Sequence, residues 1–195
     1  PGMHPRNYTY ALILCLLPLP AAADWHREEA SIMGTLVAVE LWHNEPARAQ
    51  ALAEEVLGEM RRIDALMSTY KPDSELSRVN RGAARSPVPV SRELLELIAR
   101  SLEFSELTGG AFDITYASAD RYYDYRAGRK PTAAELAAAL PAIDYHHIVI
   151  DRERDSIRFD HPGVTIDLGG IAKGYAVDRA IALLRAGGIE HALVS

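Results

Sequence analysis

The segment "VTIDLGGIAKGYAVD", residues 164–178, places two adjacent glycines and a lysine where an apolar run meets a predicted helix. Gly169 and Gly170 allow the backbone to approach a ligand closely, and amides at a helix N-terminus attract anions. Lys173 adds a positive charge that could reach a phosphate. The spacing matches neither G-x-G-x-x-G nor a Walker A loop. These residues therefore allow two interpretations: a phosphate-binding site, or a tight turn followed by a solvated lysine.

Two other residues have side chains suited to ligand binding. Tyr70 follows a predicted helix in "LMSTYKPD", and its ring could stack on a planar ligand or finish that helix against the core. Asp113 in "TGGAFDIT" could hold a ligand through hydrogen bonds or cap a turn. The residue types alone leave both interpretations open.

The composition is that of a globular domain. The chain has 195 residues, of which 48% are hydrophobic and 25% are charged, which is enough for one domain with a real core. Its net charge of -6 argues against general nucleic-acid binding, because that function needs a basic surface. Small molecules or proteins are the expected partners, with no nucleic acid.

The N-terminus predicts an export signal over residues 1–23. Arg6 precedes the apolar run "YALILCLLPLP", and three alanines supply a small-residue cleavage site before Asp24. A buried helix and a lipoprotein site at Cys15 are the alternatives. Cys15 is the only cysteine, so residues 24–195 would carry no thiol, which suits an oxidising compartment. We expect a periplasmic protein.

Hydrophobic periodicity predicts a long helix from Pro46 to about Leu66, with Asn44 as its cap. Three further helices have predicted caps, which are Asp73 or Ser74, Ser91, and Thr132 with Glu135. The helix capped by Ser91 should stop at Gly109–Gly110. A last helix is expected from Lys173 to about Arg185. Strands are predicted over residues 31–42, 146–159 (two strands joined by a turn), 164–168 and 191–195, and residues 113–131 are expected to be loop or extended. The class is α+β, with a mixed sheet flanked by helices.

Four segments resemble the ApbE family of FAD:protein FMN transferases, in the family's order. They are "SIMGTLVAVEL", "LMSTYKPDSELSRVN", "TGGAFDIT" and "IDLGGIAKGYAVDRA". From the start of the first segment to the end of the last, they span nearly all of the chain from Ile32 onward. The resemblance implies a T-fold-like flavin transferase fold.

The resemblance also implies which residues bind FAD. Tyr70 would lie against the isoalloxazine ring, and Asp113 would hold the cofactor through hydrogen bonds. The residues implied to contact FAD are Met33, Tyr70, Lys71, Pro72, Asp113, Gly169, Gly170 and Lys173. The carbonyl of Ala172 would help to bind Mg²⁺.

The implied reaction is magnesium-dependent transfer of FMN from FAD to a threonine or serine hydroxyl, with release of AMP. A non-catalytic flavin-binding protein and an FAD pyrophosphatase are the alternatives. The implied acceptors are flavin-carrying subunits of membrane redox complexes or periplasmic flavoproteins, and association with the inner membrane is compatible with either. The catalytic base is not identified by the motifs.

The sequence departs from the family in two places. After "FDIT" many members have a Val-Gly-Pro-Leu run, whereas this chain has "YASADRYYDYR". The family also continues with a C-terminal half that carries further metal ligands. We therefore expect residues 24–195 to form the N-terminal portion of a single domain that is inactive by itself. The histidines lack zinc-ligand spacing and are expected at the surface: His146, His147, His161 and His191.

Overall fold

The structure is a computed structural model that describes residues 23–120, 122–123 and 127–195. The predicted export segment up to Ala22 lies outside the described residues, and so do Arg121 and residues 124–126. Within the described part of the chain, no helix combines the length and apolar character needed to cross a membrane.

The first sheet begins with a hairpin of β1 (Asp24–Ile32) and β2 (Thr35–His43). The chain reverses at Met33 and Gly34, whose φ angles of 54° and 74° suit a two-residue hairpin turn. The single strand expected over residues 31–42 is therefore wrong, because the apolar Met33 conceals a turn that only Gly34 signals. A third strand, β6 (Ala192–Val194), pairs antiparallel with β2.

The long helix α1 (Pro46–Met67) lies against the hairpin and buries an apolar stripe at helical spacing, as predicted. Its N-cap is Glu45, which makes no side-chain capping bond, so the expected cap at Asn44 is wrong. The last helix, α6 (Ala172–Ala186), packs against α1. A Cβ at Gly187 would lie 2.7 Å from Cδ2 of Leu52, so the approach to α1 requires glycine at this position.

Three further helices begin at predicted caps. Helix α2 (Glu75–Gly82) is capped by Ser74, and α3 (Arg92–Leu107) by Ser91 and ends before Gly109–Gly110. Helix α5 (Ala133–Ala139) starts with the predicted Thr132–Glu135 capping box.

The segment expected to be loop or extended instead contains a 3₁₀ turn, Ile114–Tyr116, and a short helix, α4 (Ala117–Asp120). The carboxylate of Asp113 starts this turn by accepting a 2.8 Å hydrogen bond from the amide of Thr115. A local side-chain cap of this kind stabilises a single turn without any helical periodicity.

The second sheet has the order β3–β5–β4, with β3 (Val88–Pro89), β4 (Ile148–Asp151) and β5 (Ser156–Phe159). The strand pair predicted within residues 146–159 is confirmed. All strand pairings among the described residues are antiparallel, so the α+β class is confirmed while the expected parallel component is not seen in this part of the chain.

One apolar core connects the two sheets and the helices between them. Ile166 and Leu168 of the glycine-rich segment are almost fully buried in it. The core therefore anchors the residues that precede Gly169.

Candidate functional site

Residues 164–168 form no strand among the described residues, so the strand predicted there is wrong. The burial nevertheless alternates as in a strand, with Val164, Ile166 and Leu168 in the core. Thr165 and Asp167 point the other way and line a cleft.

Side chains take the place of a neighbouring strand beside this segment. The amide of Asn80 donates to the carbonyl of Ile166 and accepts from its N–H, each at 2.9 Å. On the preceding residue, the hydroxyl of Ser118 accepts from the amide of Thr165 at 3.0 Å and donates to its carbonyl at 3.2 Å. The segment is therefore held by helices α2 and α4.

Asp167 is a carboxylate of the cleft that accepts three hydrogen bonds. Its Oδ2 accepts from the hydroxyl of Thr69 at 2.9 Å. Its Oδ1 accepts from the hydroxyl of Tyr116 at 3.2 Å and from the amide of Gly169 at 2.6 Å. Burial, together with the charge of Asp167, raises the pKa of Tyr116 to about 12. Asp167 was not predicted as a site residue, although its alternation with the buried Ile166 could have placed it on the ligand side.

The cleft has a volume of about 490 Å³ and gathers residues from two of the four family segments, the second and the fourth. Tyr70 stands at its rim with 93% of its surface exposed. Of the predicted flavin-contacting residues, Tyr70 and Pro72 line it. The remaining lining residues are Thr69, Ser77, Asn80, Arg81, Ala117, Asp120, Thr165 and Asp167.

Two predicted residues have their charged groups engaged elsewhere. The ammonium of Lys71 lies 2.6 Å from Oδ2 of Asp64 on α1. The carboxylate of Asp113 accepts from Thr115 through Oδ1 and from the amide of Tyr145, at 3.0 Å, through Oδ2. Neither residue lines the cleft in this structure, and their contacts with FAD stay predictions.

The glycine pair lies between the first cleft and a second, more apolar one of about 540 Å³. Gly170 lines the second cleft together with Phe112, and a Cβ at this position would lie 3.2 Å from Cε2 of that ring. The carboxylate of Asp167 occupies the space beside Gly169, since a Cβ at Gly169 would lie 2.8 Å from Oδ1 of Asp167. Both glycines are exposed, so their backbone is accessible to a ligand.

Lys173 and Met33 occupy different surroundings. Lys173 is exposed in the first turn of α6, and within the described residues its ammonium has no ion pair or hydrogen bond. Met33 is half-buried at the β1–β2 turn, packs against the core and does not line the first cleft. Lys173 is thus available to a ligand near Gly170, and the predicted role of Met33 has no support from its position.

The predicted magnesium ligand is the carbonyl of Ala172. This residue is the first of α6 and is only 3% exposed. Nowhere in the described part of the chain do three histidine, cysteine or acidic side chains converge on a common point. Mg²⁺ prefers carboxylate oxygens and water in octahedral geometry. The described residues alone therefore do not fit a magnesium site.

Comparison with known proteins gives the family of this chain. A family model described as "ApbE family" matches residues 33–195. The chain belongs to the ApbE family. FAD:protein FMN transferase of Salmonella typhimurium is 32% identical over 173 residues, which are 86% of this chain and 49% of that protein. The enzyme of the same name from Vibrio cholerae is 30% identical over 197 residues, 97% of this chain and 58% of that protein.

Solved structures of ApbE proteins share the fold. Flavin transferase ApbE from Vibrio cholerae superposes with a TM-score of 0.80 at 28% identity, over 89% of this chain and 57% of that one. The ApbE protein of Thermotoga maritima also gives a TM-score of 0.80, at 30% identity, over 88% and 56% of the two chains. The chain spans about half the length of the curated relatives it matches. The predicted family and fold are confirmed.

The cleft offers an aromatic ring at the rim and a carboxylate fixed by hydrogen bonds, and the exposed glycine pair lies between it and the second cleft. These groups suit a planar heterocycle joined to an anion. The polar floor of Thr69, Asn80 and Asp167 could not be recognised from the motifs, because hydrogen bonds between distant segments create it.

Proposed function

We propose that the protein transfers the FMN half of FAD to a threonine or serine hydroxyl of an acceptor protein and releases AMP. The observation that carries this proposal is the cleft in which Thr69, Tyr70 and Asp167, from segments far apart in sequence, converge. Its volume of about 490 Å³ lies in the range of small-molecule sites.

In this proposal the flavin end of FAD occupies the cleft beside Tyr70. The exposed ring can stack on the isoalloxazine system, and stacking on an aromatic side chain is worth about 1–3 kcal/mol for a nucleobase. The polar floor then orients the ligand, since Thr69 and Tyr116 keep the Asp167 carboxylate in one place.

The diphosphate would lie along Gly169–Gly170 and near Lys173. The accessible glycine backbone permits close approach, and the lysine offsets negative charge on the phosphoryl oxygens. The oxygen of an acceptor hydroxyl forms a bond to the phosphorus of the FMN half while the bond from that phosphorus to the bridging oxygen breaks. The bridging oxygen leaves with its electron pair on AMP, and the hydroxyl proton passes to solvent. Phosphoryl transfer of this kind depends mainly on positioning and on stabilisation of charge.

The proposal includes dependence on magnesium, which supplies Lewis-acid stabilisation of the phosphoryl oxygens when bound. Its support is the family resemblance, in which the Ala172 carbonyl is one ligand. Among the described residues, no group of three histidine, cysteine or acidic side chains accompanies it.

We further propose that the protein acts in the periplasm. The basic residue, apolar run and alanine site over residues 1–23 support export, and the absence of cysteine after Cys15 is consistent with it. Flavin-carrying subunits of membrane redox complexes or periplasmic flavoproteins are then the proposed acceptors.

The experiment uses the full-length protein, FAD, magnesium and a candidate acceptor peptide that contains threonine. Mass spectrometry should detect the FMN–peptide ester and free AMP, and the adduct should be absent when the threonine is replaced by valine or when the metal is chelated. FMN and AMP without an adduct would instead identify an FAD pyrophosphatase. Bound, intact FAD with neither product would identify a flavin-binding protein.

A further inference from the structure

We infer that Asn80 is a positioning residue, which fixes the Asp167 carboxylate by holding the backbone of Ile166. This inference rests on the proposed binding of FAD in the cleft, and it assigns a role to a residue of α2 that the motifs leave without one. Asn80 itself is half-buried and lines the cleft.

The geometry is that of a strand partner provided by one side chain. Asn80 Nδ2 donates to the carbonyl of Ile166 at 2.9 Å, and Oδ1 accepts from the N–H of the same residue at 2.9 Å. A neighbouring strand would satisfy one residue's backbone in the same reciprocal way. A carboxamide can do this because it presents a donor and an acceptor in one plane.

The hydrogen bonds from Asn80 to Ile166 also restrain Asp167, because Asp167 is the next residue in the chain. Its own amide donates to the carbonyl of Ile114 at 3.0 Å, so the peptide group between Ile166 and Asp167 is bound through both its carbonyl and its N–H. With the backbone fixed, the carboxylate meets Thr69, Tyr116 and Gly169 at the distances given above. Without the Asn80 amide, two backbone groups of a buried segment would lose their partners.

The helix that carries Asn80 is itself firmly placed. Ser74 caps α2, and the preceding residue Val79 is fully buried in the core. The side-chain amide of Asn80 therefore holds Ile166 at a fixed position relative to a helix that is packed in the core. A displacement of about 1 Å in a positioned group can lower activity by about 100-fold, so this connection has functional weight.

The first test compares Asn80→Ala with Val79→Ala in the full-length protein. Val79→Ala is the matched control, because it lowers stability from the same helix but leaves the side chain that makes both hydrogen bonds to Ile166 unchanged. FAD affinity is measured by flavin fluorescence titration well below the melting temperature of each variant. We expect Asn80→Ala to bind FAD roughly tenfold more weakly than the unchanged protein, and Val79→Ala to bind it equally well at a comparable loss of melting temperature.

The second test uses Asn80→Asp, which conserves the shape of the side chain. The ionised carboxylate cannot donate to the carbonyl of Ile166, whereas the protonated form can make both hydrogen bonds. The ratio of its FAD affinity to that of the unchanged protein should therefore rise towards one as the pH is lowered. A ratio that stays constant with pH would contradict the role of the donor.

Two outcomes separate this inference from the proposed function. If the unchanged protein binds FAD and Asn80→Ala binds it as tightly, Asn80 is not a positioning residue. The same conclusion follows if Val79→Ala loses as much affinity as Asn80→Ala. If the unchanged protein binds no FAD, the proposed function fails and this inference fails with it.

Discussion

The hydroxyl of Thr69 donates a 2.9 Å hydrogen bond to Oδ2 of Asp167, a residue 98 positions later in the chain. The bond joins the segment that follows α1 to the segment that precedes α6. Because Tyr70 is adjacent to Thr69, the same contact sets the distance between the exposed ring and the carboxylate. The two halves of the proposed flavin site are thus connected directly.

Replacing Tyr70 with alanine should weaken FAD binding by about 1–3 kcal/mol, if the flavin stacks as a nucleobase does. The melting temperature should hardly change, because the ring is 93% exposed. Flavin fluorescence titration and a thermal melt measure the two effects. Tyr70→Phe is the control and should bind FAD almost normally; equal affinity of the alanine variant would remove Tyr70 from the site.

Lys173→Ala should lower FAD affinity about tenfold, since a charged hydrogen bond to phosphate would be lost. Its stability should not fall, because a cation in the first turn of α6 is unfavourable for the helix dipole. Arg185→Ala, about 18 Å away at the other end of the helix, should show the reverse. Paired FAD titrations and melts test this, and a stability loss with normal binding in Lys173→Ala would favour the structural interpretation.

Gly169→Ala should impair FAD binding more than it impairs folding. The new methyl would lie 2.8 Å from Oδ1 of Asp167, so the carboxylate must move and its bond to Tyr116 must weaken. The exposed turn itself can accept a methyl group. Gly174→Ala is the control, because a Cβ there meets no atom within 4 Å. Equal FAD affinities for the two variants would show that the position of Asp167 does not matter.

The stability of the protein should depend on the charge of His147. Its Nδ1 lies 2.6 Å from Asp160 and its Nε2 lies 3.0 Å from the carbonyl of Pro141, so both nitrogens face acceptors. Burial opposes the charge, yet these bonds raise its pKa above the ordinary value of 6.5. The stabilisation is therefore complete below the unfolded-state pKa and is lost as the pH rises through the folded-state pKa.

Urea unfolding of the unchanged protein and His147→Gln checks this at pH 5.5 and 8.5. The difference in unfolding free energy should be larger at the lower pH. His191→Gln, at an exposed position, should show no such trend. A difference that grows as the pH rises would contradict a charged His147 in the folded state.

The parts of the fold that were predictable depend on neighbours in sequence. Ser74, Ser91 and the Thr132–Glu135 pair each cap a helix through bonds to residues three positions away, so their residue types were sufficient. The apolar stripe of α1 was equally local. The β1–β2 turn was missed because Met33 has no turn preference of its own.

The site was less predictable because its contacts span the chain. The bond between Asn80 and Ile166 crosses 86 positions, and no local pattern distinguishes this asparagine from a solvated one. Residues 164–168 have the alternation of a strand, but only the tertiary structure shows that side chains replace its partner. Tyr70 and Pro72 were predicted from the family resemblance and line the cleft, whereas the hydrogen bonds of Asp167 to Thr69 and Tyr116 appear only in the tertiary structure.

The two tryptophans of the sequence, Trp25 and Trp42, lie opposite each other in the β1–β2 hairpin, edge to face with ring centroids 5.8 Å apart. All indole emission of this chain therefore originates from one hairpin, and near-ultraviolet circular dichroism of the coupled pair reports whether that hairpin is intact. Flavins absorb where indoles emit, so resonance energy transfer to bound FAD would lower this emission. The protein thus has a built-in optical probe that can follow hairpin formation and ligand occupancy without a label.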